Sequence, residues 1–189
     1  MLQHLPRWLG ETMQNMRAGA DKIAIARHGS DDRIVPFALT SSAFVPGGRI
    51  PVRFTADGEG VSPPLDWSGF PAETRSLALL VEDPDAPSPL PFVHAIVWGI
   101  DPTAGGLAEG AIVGEGGTAG EPGRNSYLRH GWVPPDPPTG HGEHHYAFQL
   151  FALDCLPHPG GVPGRSELIE EMTGHVIGAG LLTGTYQRG

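Results

Sequence analysis

Two aspartates and one histidine stand close together in VEDPDAPSPLPFVHAIVW, residues 81–98. Asp83 and Asp85 lie in a turn whose prolines restrict the backbone and hold the carboxylates in a fixed direction. His94 follows inside an apolar run that is typical of a buried strand. Because a carboxylate can orient an imidazole and stabilise its charged form, these residues could form one wall of a polar pocket. A surface turn beside a core histidine is the alternative.

A second cluster, RHGWVPPDPPTGHGEHHYAFQLFALD, carries four histidines: His130, His141, His144 and His145. A zinc site is not predicted, because the HExxH pattern is absent and the proline and glycine content excludes a helix here. In the strand that begins at His144, alternation puts His144 and Tyr146 on one face and His145 on the other. A protonated histidine, a tyrosine hydroxyl and backbone N–H groups suit an anion better than a metal.

Composition limits the fold and the partners. The chain has 189 residues with 28 Gly and 20 Pro, which favours one domain of many short strands joined by loops. A net charge of −9 argues against nucleic-acid binding. Cys155 is the single cysteine and predicts neither a disulfide nor a metal site. No signal peptide or membrane-spanning stretch is evident, so we expect a cytoplasmic protein without stable membrane insertion.

The chain divides into two parts. Residues 1–35 have apolar positions at helical spacing and predict an amphipathic helical extension, which either packs on its own domain or makes a homodimer contact. Residues 36–189 predict a mostly β domain, a two-sheet sandwich with Greek-key connections. RIPVRFT, residues 49–55, is one of its expected strands. A short helix near the C-terminus is expected to begin with Ser166 as its N-cap.

Several motifs in order resemble one known family. They are SPPLDWSG at 62–69, LALLVEDPDAP at 77–87, FVHAIVW at 92–98, PPDPPTGHGEHHYAFQLFALD at 134–154 and MTGHVIGAGLLTGTY at 172–186. The chain resembles the phosphatidylethanolamine-binding protein family, and within it the bacterial Raf kinase inhibitor-like branch. The resemblance implies a two-sheet β-sandwich with a small helical element near the C-terminus. It also implies a small pocket that binds phosphate-like anions, including phospholipid head groups.

The family pocket can be carried over to this sequence motif by motif. The resemblance implies ligand-binding roles for nine residues: Asp83, Asp85, Phe92, His94, Asp136, Pro137, Pro138, His144 and Tyr146. Two positions depart from the family pattern. Ala95 stands where the bacterial branch usually has tryptophan, and Asp136 stands where cysteine or glycine is common. Asp136 would add a negative charge to an anion pocket if it points inward.

The resemblance implies a non-enzymatic binding protein for a small anion such as phosphate or a phosphoethanolamine-like group, with no cofactor or metal. A protein kinase or protease is the implied protein partner. A hydrolase or lyase that uses His94 and His144 as acid–base groups, with Asp83 orienting them, is the alternative. No G-x-S-x-G motif or other evident nucleophile supports that alternative. A scaffold whose pocket no longer binds ligand is a third possibility.

Overall fold

The computed structural model describes residues 13, 16–28, 31–114 and 120–188. Within these residues the β-strands are β1 (Val35–Pro36), β2 (Ala38–Thr40), β3 (Leu65–Ser68), β4 (Ser76–Asp83), β5 (Phe92–Ile100), β6 (Gly106–Leu107), β7 (Glu121–Pro122), β8 (His144–Leu153) and β9 (Val176–Tyr186). They form a six-stranded sheet in the order β1-β9-β8-β4-β5-β7 and a three-stranded sheet in the order β2-β3-β6. The mostly β, two-sheet architecture predicted from the sequence is therefore confirmed.

Alternation along β4 gives the large sheet two buried faces. Leu77, Leu79 and Val81 belong to the core between the two sheets. Ala78 and Leu80 belong to a second core on the opposite face of the sheet, which the C-terminal helix covers. All eight residues of β4 are buried, as expected for a central strand that is covered on both sides.

The RIPVRFT segment does not form the strand that was predicted. Arg49 makes an isolated bridge to Thr185, and Val52–Phe54 form a 3₁₀ helix. Pro51 is the physical reason, because it has no N–H for a ladder hydrogen bond and its carbonyl accepts from the N–H of Phe54 at 3.0 Å.

The predicted C-terminal helix is present as α1 (Arg165–Met172). Its N-cap is Gly164 rather than Ser166, and the Glu167 carboxylate accepts a hydrogen bond from the Gly164 N–H at 3.1 Å. The acid in the first turn also complements the helix dipole. Among the described helices, none has the length and apolar character that crossing a membrane requires.

The described part of the N-terminal extension packs on the β domain as two 3₁₀ helices, Ala20–Lys22 and Ala24–His28. The earlier positions of the predicted helix, including Leu2, Leu5 and Leu9, lie outside the described residues. The described residues 16–28 do not form an α-helix, because the N–H groups of Ala24 and Ile25 donate to core side chains instead of to backbone carbonyls.

Those core side chains belong to a buried polar cluster around Glu82, which is fully buried. Its carboxylate accepts hydrogen bonds from the Ala24 N–H at 2.7 Å, from Gln149 Nε2 at 2.7 Å and from Arg165 Nε at 2.5 Å. Arg165 also donates to the Lys22 carbonyl at 2.5 Å. A buried carboxylate is stable only when it is paired, so this cluster ties the N-terminal segment and α1 to the large sheet.

We expect Arg165→Ala to lower the free energy of unfolding by about 3–5 kcal/mol, because it leaves the buried Glu82 carboxylate without a cation. Arg124→Ala is the matched control. Arg124 pairs with Glu167 at 3.3 Å near the same helix end but is exposed, so its loss costs at most about 1 kcal/mol. Urea unfolding at pH 7 measures both values, and equal losses would contradict the importance of the buried cluster.

Candidate functional site

A β-bulge in β5 turns His94 towards the space between the sheets. Val81 of β4 pairs with Ala95, whereas the next residue, Glu82, pairs with Val93. His94 is thus the extra residue of the bulge. Val93 belongs to the outer core and Ala95 to the core between the sheets. Regular alternation would put His94 on the outer face, and the bulge brings it to the face of Ala95.

The His94 ring is fixed by a backbone carbonyl. Its Nδ1 lies 2.6 Å from the Val133 carbonyl oxygen and therefore donates to it. His94 Nε2 is buried and has no hydrogen-bond partner among the described residues. Burial lowers the pKa of His94, although the nearby Asp83 charge and the Val133 hydrogen bond act in the opposite direction. His94 therefore has a backbone partner instead of the carboxylate that was expected from the sequence.

Asp83 is paired with His144 instead. His144 Nδ1 lies 2.7 Å from Asp83 Oδ2, and both side chains are buried. The other Asp83 oxygen, Oδ1, accepts a hydrogen bond from the Asp85 N–H at 2.8 Å, which fixes the carboxylate within the DPDAP turn. The adjacent strands β4 and β8 bring the two residues together. Asp83 thus orients His144, whereas the sequence had suggested that a turn aspartate would orient His94.

A cavity of about 200 Å³ opens beside these residues. Its lining includes seven of the nine predicted site residues: Asp83, Phe92, His94, Asp136, Pro137, Pro138 and His144. It also includes Ala86, Pro87, Ser88, Tyr127, Val133 and Pro134. The cavity is thus mostly apolar, with carboxylate and imidazole groups in its wall. Asp85 and Tyr146 are not among the lining residues.

Tyr146 packs against two lining residues from the buried side. Its ring centroid lies 5.1 Å from that of His94 and 6.5 Å from that of His144. The Tyr146 hydroxyl is buried and has no hydrogen-bond partner among the described residues. Burial, followed by the nearby Asp83 charge, raises the pKa of Tyr146 well above its ordinary value, so the hydroxyl keeps its proton and remains a donor.

Asp85 points away from the cavity lining and organises the loop beyond it. Its Oδ2 accepts from the backbone N–H of His145 at 2.7 Å and lies 2.7 Å from His145 Nδ1. Asp85 also forms an ion pair with Arg17 of the N-terminal segment. Partial burial raises the pKa of Asp85, but the hydrogen bonds from His145 and Arg17 outweigh that effect and lower it overall.

Asp136 lines the cavity, but its charge is compensated. Arg188 Nη1 donates to Asp136 Oδ1 at 2.6 Å and to the Pro137 carbonyl at 2.9 Å. The same guanidinium binds Asp57 through Nε and Nη2, and Asp57 also accepts from the Tyr186 hydroxyl at 2.7 Å. Arg188 thus supplies the positive charge that an inward-pointing Asp136 requires.

Two residues at the site, Tyr127 and Arg188, were not predicted from the sequence. Tyr127 comes from a loop with no periodic pattern, and its ring makes an edge contact with Phe92 at 5.1 Å between centroids. Asn125 holds this loop by accepting from the N–H groups of Tyr127 and Arg129. Arg188 is 131 residues from Asp57 along the chain. Neither pairing has a local signal in the sequence.

One cluster of possible metal ligands occurs among the described residues. Single ligand atoms of Asp154, Cys155 and His175 all lie within 4.8 Å of one another. His175 Nδ1 already lies 2.9 Å from Asp154 Oδ1, and burial raises the pKa of the Cys155 thiol. The cluster shares no residue with the cavity lining.

Comparisons with known proteins agree on one family. The sequence profile of the phosphatidylethanolamine-binding protein family matches residues 40–187. The chain belongs to this family. A UPF0098 protein of Methanothermobacter thermautotrophicus is 41% identical over 152 residues, which cover 80% of this chain and 99% of that protein. LppC of Mycobacterium tuberculosis, described as a candidate lipoprotein, is 39% identical over 156 residues, which cover 80% of this chain and 73% of LppC.

A solved relative has the same fold. The crystal structure of the phosphatidylethanolamine-binding protein homologue CT736 from Chlamydia trachomatis has a TM-score of 0.74 and 37% identity, and the match covers 82% of this chain and 99% of CT736. Membership of the phosphatidylethanolamine-binding protein family supports a function in binding, in general terms. The matched region begins after the N-terminal segment, which is therefore a feature of this chain beyond the family profile.

The ion pairs of Arg188 predict a pH-dependent contribution to stability. Partial burial raises the pKa of Asp57, but the hydrogen bonds from Arg188 and Tyr186 outweigh this and lower it overall. A lowered folded-state pKa stabilises the protein above the unfolded-state pKa, and this stabilisation is lost as pH falls through the folded-state pKa. We expect Arg188→Ala to cost about 2 kcal/mol at pH 7, and the loss to shrink below about pH 4.

Urea unfolding from pH 7 down to pH 3 measures this effect. Arg129→Ala, which removes an exposed guanidinium, is the control and leaves stability nearly unchanged across the range. A cost for Arg188→Ala that is the same at both ends of the range would contradict a role for the paired carboxylates.

Proposed function

We propose that the cavity binds a small phosphate-bearing anion, such as phosphate or a phosphoethanolamine head group, and that the protein is not an enzyme. The observation that carries this proposal is a pair of buried polar atoms, His94 Nε2 and Tyr146 Oη, without a hydrogen-bond partner among the described residues. Leaving such atoms unpaired costs about 1–3 kcal/mol each. An oxyanion bound where the Tyr146 ring packs on His94 and His144 would accept a hydrogen bond from the Tyr146 hydroxyl, and one from His94 once Nε2 is protonated.

The proposed donors are local. The Tyr146 hydroxyl keeps its proton and can donate, and His94 can donate once Nε2 is protonated. With a net charge of −9, long-range attraction does not favour an anion, so binding depends on these short-range groups. The pairing of Asp136 with Arg188 and of Asp83 with His144 reduces repulsion from the two carboxylates in the wall.

Binding by this route is coupled to a proton. Burial lowers the pKa of His94 in the ligand-free protein, so the ring is neutral and Nε2 is an acceptor. A bound anion favours the charged ring and raises its pKa. Anion binding therefore takes up a proton, and affinity increases as pH falls, by at most about tenfold per pH unit for one proton.

The cavity volume limits the ligand. A space of about 200 Å³ suits a phosphate or a head group and leaves acyl chains outside. The apolar part of the wall, which includes Phe92 and Tyr127, would contact the carbon atoms of a phosphoethanolamine group. A cavity of this volume cannot enclose the acyl chains of a lipid, which argues against transport of a whole lipid.

Calorimetric titration of phosphate, phosphoethanolamine and sulfate at pH 6 and pH 8 tests the proposal. We expect tighter binding at pH 6, loss of binding in His144→Ala, and retention in His175→Ala, which removes an exposed histidine outside the cavity. Sulfate stays doubly charged at both pH values, so its pH dependence reports the protein alone. No binding of any of the three anions at either pH would contradict an anion pocket.

Tyr146→Phe gives a second, sharper test because it removes only the unpaired hydroxyl. We expect no loss of stability, since the deleted group makes no hydrogen bond in the ligand-free protein. We expect phosphate affinity to fall about 10- to 100-fold, because a donor to a charged ligand is lost. Thermal unfolding and calorimetry measure the two effects, and unchanged phosphate affinity would exclude Tyr146 as a ligand donor.

An enzyme of the hydrolase or lyase class is the rival. The Asp83–His144 pair resembles an oriented acid–base group, but the serine in the lining, Ser88, donates its hydroxyl to the Leu90 carbonyl. The described cavity therefore contains no serine activated by a neighbouring base. Turnover of a phosphate monoester that is abolished by His144→Ala would favour the enzyme.

We also propose that the protein regulates a kinase or protease and acts in the cytoplasm. An open groove next to the cavity supports a protein partner, since it exposes Leu90 and Leu128. Leu128 has a φ of 57° and is held by the Asn125 loop.

A homodimer through the N-terminal extension is a further proposal. In its described part, however, Ala18, Ile23 and Ala24 are already buried in the same chain.

Cell fractionation tests the cytoplasmic location. LppC is described as a candidate lipoprotein, and recovery of this protein with the membranes would contradict the proposed location.

A further inference from the structure

The N-terminal segment, residues 13 and 16–28, reaches the histidines behind the cavity. The N–H of Gly19 donates to the Pro84 carbonyl at 2.9 Å, in the middle of the DPDAP turn. Arg17 forms an ion pair with Asp85 and donates to the Glu143 carbonyl at 3.0 Å. These contacts join the segment to the two loops that carry the predicted site residues.

A chain of three hydrogen bonds leads from this segment to the cavity wall. His141 Nε2 lies 2.7 Å from the Met13 carbonyl oxygen. His141 Nδ1 lies 2.6 Å from His144 Nε2, and His144 Nδ1 lies 2.7 Å from Asp83 Oδ2. Both rings are buried, with exposed fractions of 1% each. The chain runs Met13–His141–His144–Asp83.

These three bonds require three protons. A carbonyl oxygen only accepts, so His141 must carry its proton on Nε2 to bind Met13. The two remaining bonds each need one more proton, whereas two neutral imidazoles supply only two in total. The chain is therefore complete only when it holds one proton beyond two neutral rings and a carboxylate.

The requirement changes if the Met13 carbonyl is absent. Two bonds then remain, and two neutral rings satisfy both: His141 Nδ1–H donates to His144, and His144 Nδ1–H donates to Asp83. Water at the vacated position can donate or accept, so it imposes no tautomer on His141. The segment thus decides how many protons the buried chain holds.

We propose that the N-terminal segment is a working part of the cavity, in which Arg17 is a positioning residue that holds the Met13 carbonyl on His141 and so keeps the extra proton on the His144–Asp83 pair. The extra proton makes the Met13–Asp83 chain neutral rather than negative. This neutralisation favours an anionic ligand next to Asp83, so the consequence for ligands rests on the proposed anion pocket.

The location of the proton follows from the surroundings of the two rings. Burial, and then the nearby His144, lower the pKa of His141, so His141 stays neutral. The Met13 carbonyl takes the one proton of His141, so the protons of the two remaining bonds lie along His144 and Asp83. Other titratable or charged groups surround the two rings on three sides. Tyr146 and Tyr186 lie at neighbouring positions of β8 and β9, and His94 and Asp136 lie across the cavity. Arg17, Asp85 and His145 lie on the side of the N-terminal segment.

Arg17 could act through its positive charge alone or by positioning the segment, and Arg17→Ala shifts the pH of proton loss in opposite directions in the two cases. Arg17 is positive and lowers the pKa of His141, so its removal by electrostatics alone would make the chain hold its proton to higher pH. If Arg17 positions the segment, its removal releases the Met13 carbonyl, and we expect the proton to leave at a pH lower by about one unit, a tenfold change. Arg27→Ala, on the same segment but outside this cluster, should change nothing.

Imidazole ¹⁵N chemical shifts of the full-length protein, followed from pH 5 to pH 9, measure when His141 and His144 lose the proton. A lower pH of loss in Arg17→Ala and an unchanged pH in Arg27→Ala support the proposal. An unchanged or higher pH in Arg17→Ala overturns it. No ligand is present in this titration, so its outcome does not depend on the anion pocket.

Phosphate titration of the same variants at pH 7 then separates the two proposals. A roughly tenfold weaker phosphate affinity in Arg17→Ala, together with the shifted proton loss, supports both. If proton loss is shifted in Arg17→Ala but the wild-type protein binds no phosphate, the role of the segment is supported and the anion pocket is overturned.

Discussion

The need to pair two buried carboxylates that follow one another in β4 organises most of this structure. Glu82 and Asp83 point to opposite faces of the central strand, and both are buried. A buried carboxylate without partners would cost several kcal/mol, so each face must supply donors. On the outer face, Arg165, Gln149 and the N–H of Ala24 bind Glu82. On the inner face, His144 binds Asp83.

The two pairings connect the same N-terminal segment to both sides of the sheet. Through Ala24 the segment reaches Glu82, and through Met13 and Arg17 it reaches His141 and Asp85. A segment outside the family profile is thus part of the same polar network as the cavity wall. The stability of the fold and the protonation of the cavity therefore depend on contacts made by the same short stretch of chain.

The cavity combines satisfied and unsatisfied polar groups. Asp83 and Asp136 have charged or chargeable partners, while His94 Nε2 and Tyr146 Oη have none among the described residues. Paired carboxylates hold the wall in place, and unpaired polar atoms leave hydrogen-bonding capacity for a ligand. From the sequence alone, Asp136 was expected to weaken anion binding. In the structure its Oδ1 accepts a hydrogen bond from Arg188 Nη1 at 2.6 Å, which compensates the charge.

The sequence by itself determined those features that depend on local rules. Proline and glycine content with alternating apolar runs predicted the two-sheet β fold, and alternation placed His144 and Tyr146 on the buried side of β8 with His145 exposed. The Pro-rich turn identified Asp83, and family motifs identified most of the lining. Tertiary structure alone decided three other features: the bulge that turns His94 inward, the pairing of Arg188 with Asp136, and the docking of Met13 on His141. Each of these features depends on residues that are not neighbours in the sequence. A buried polar group bonds to whichever partner the fold brings within about 3 Å, and local sequence rules do not specify that partner.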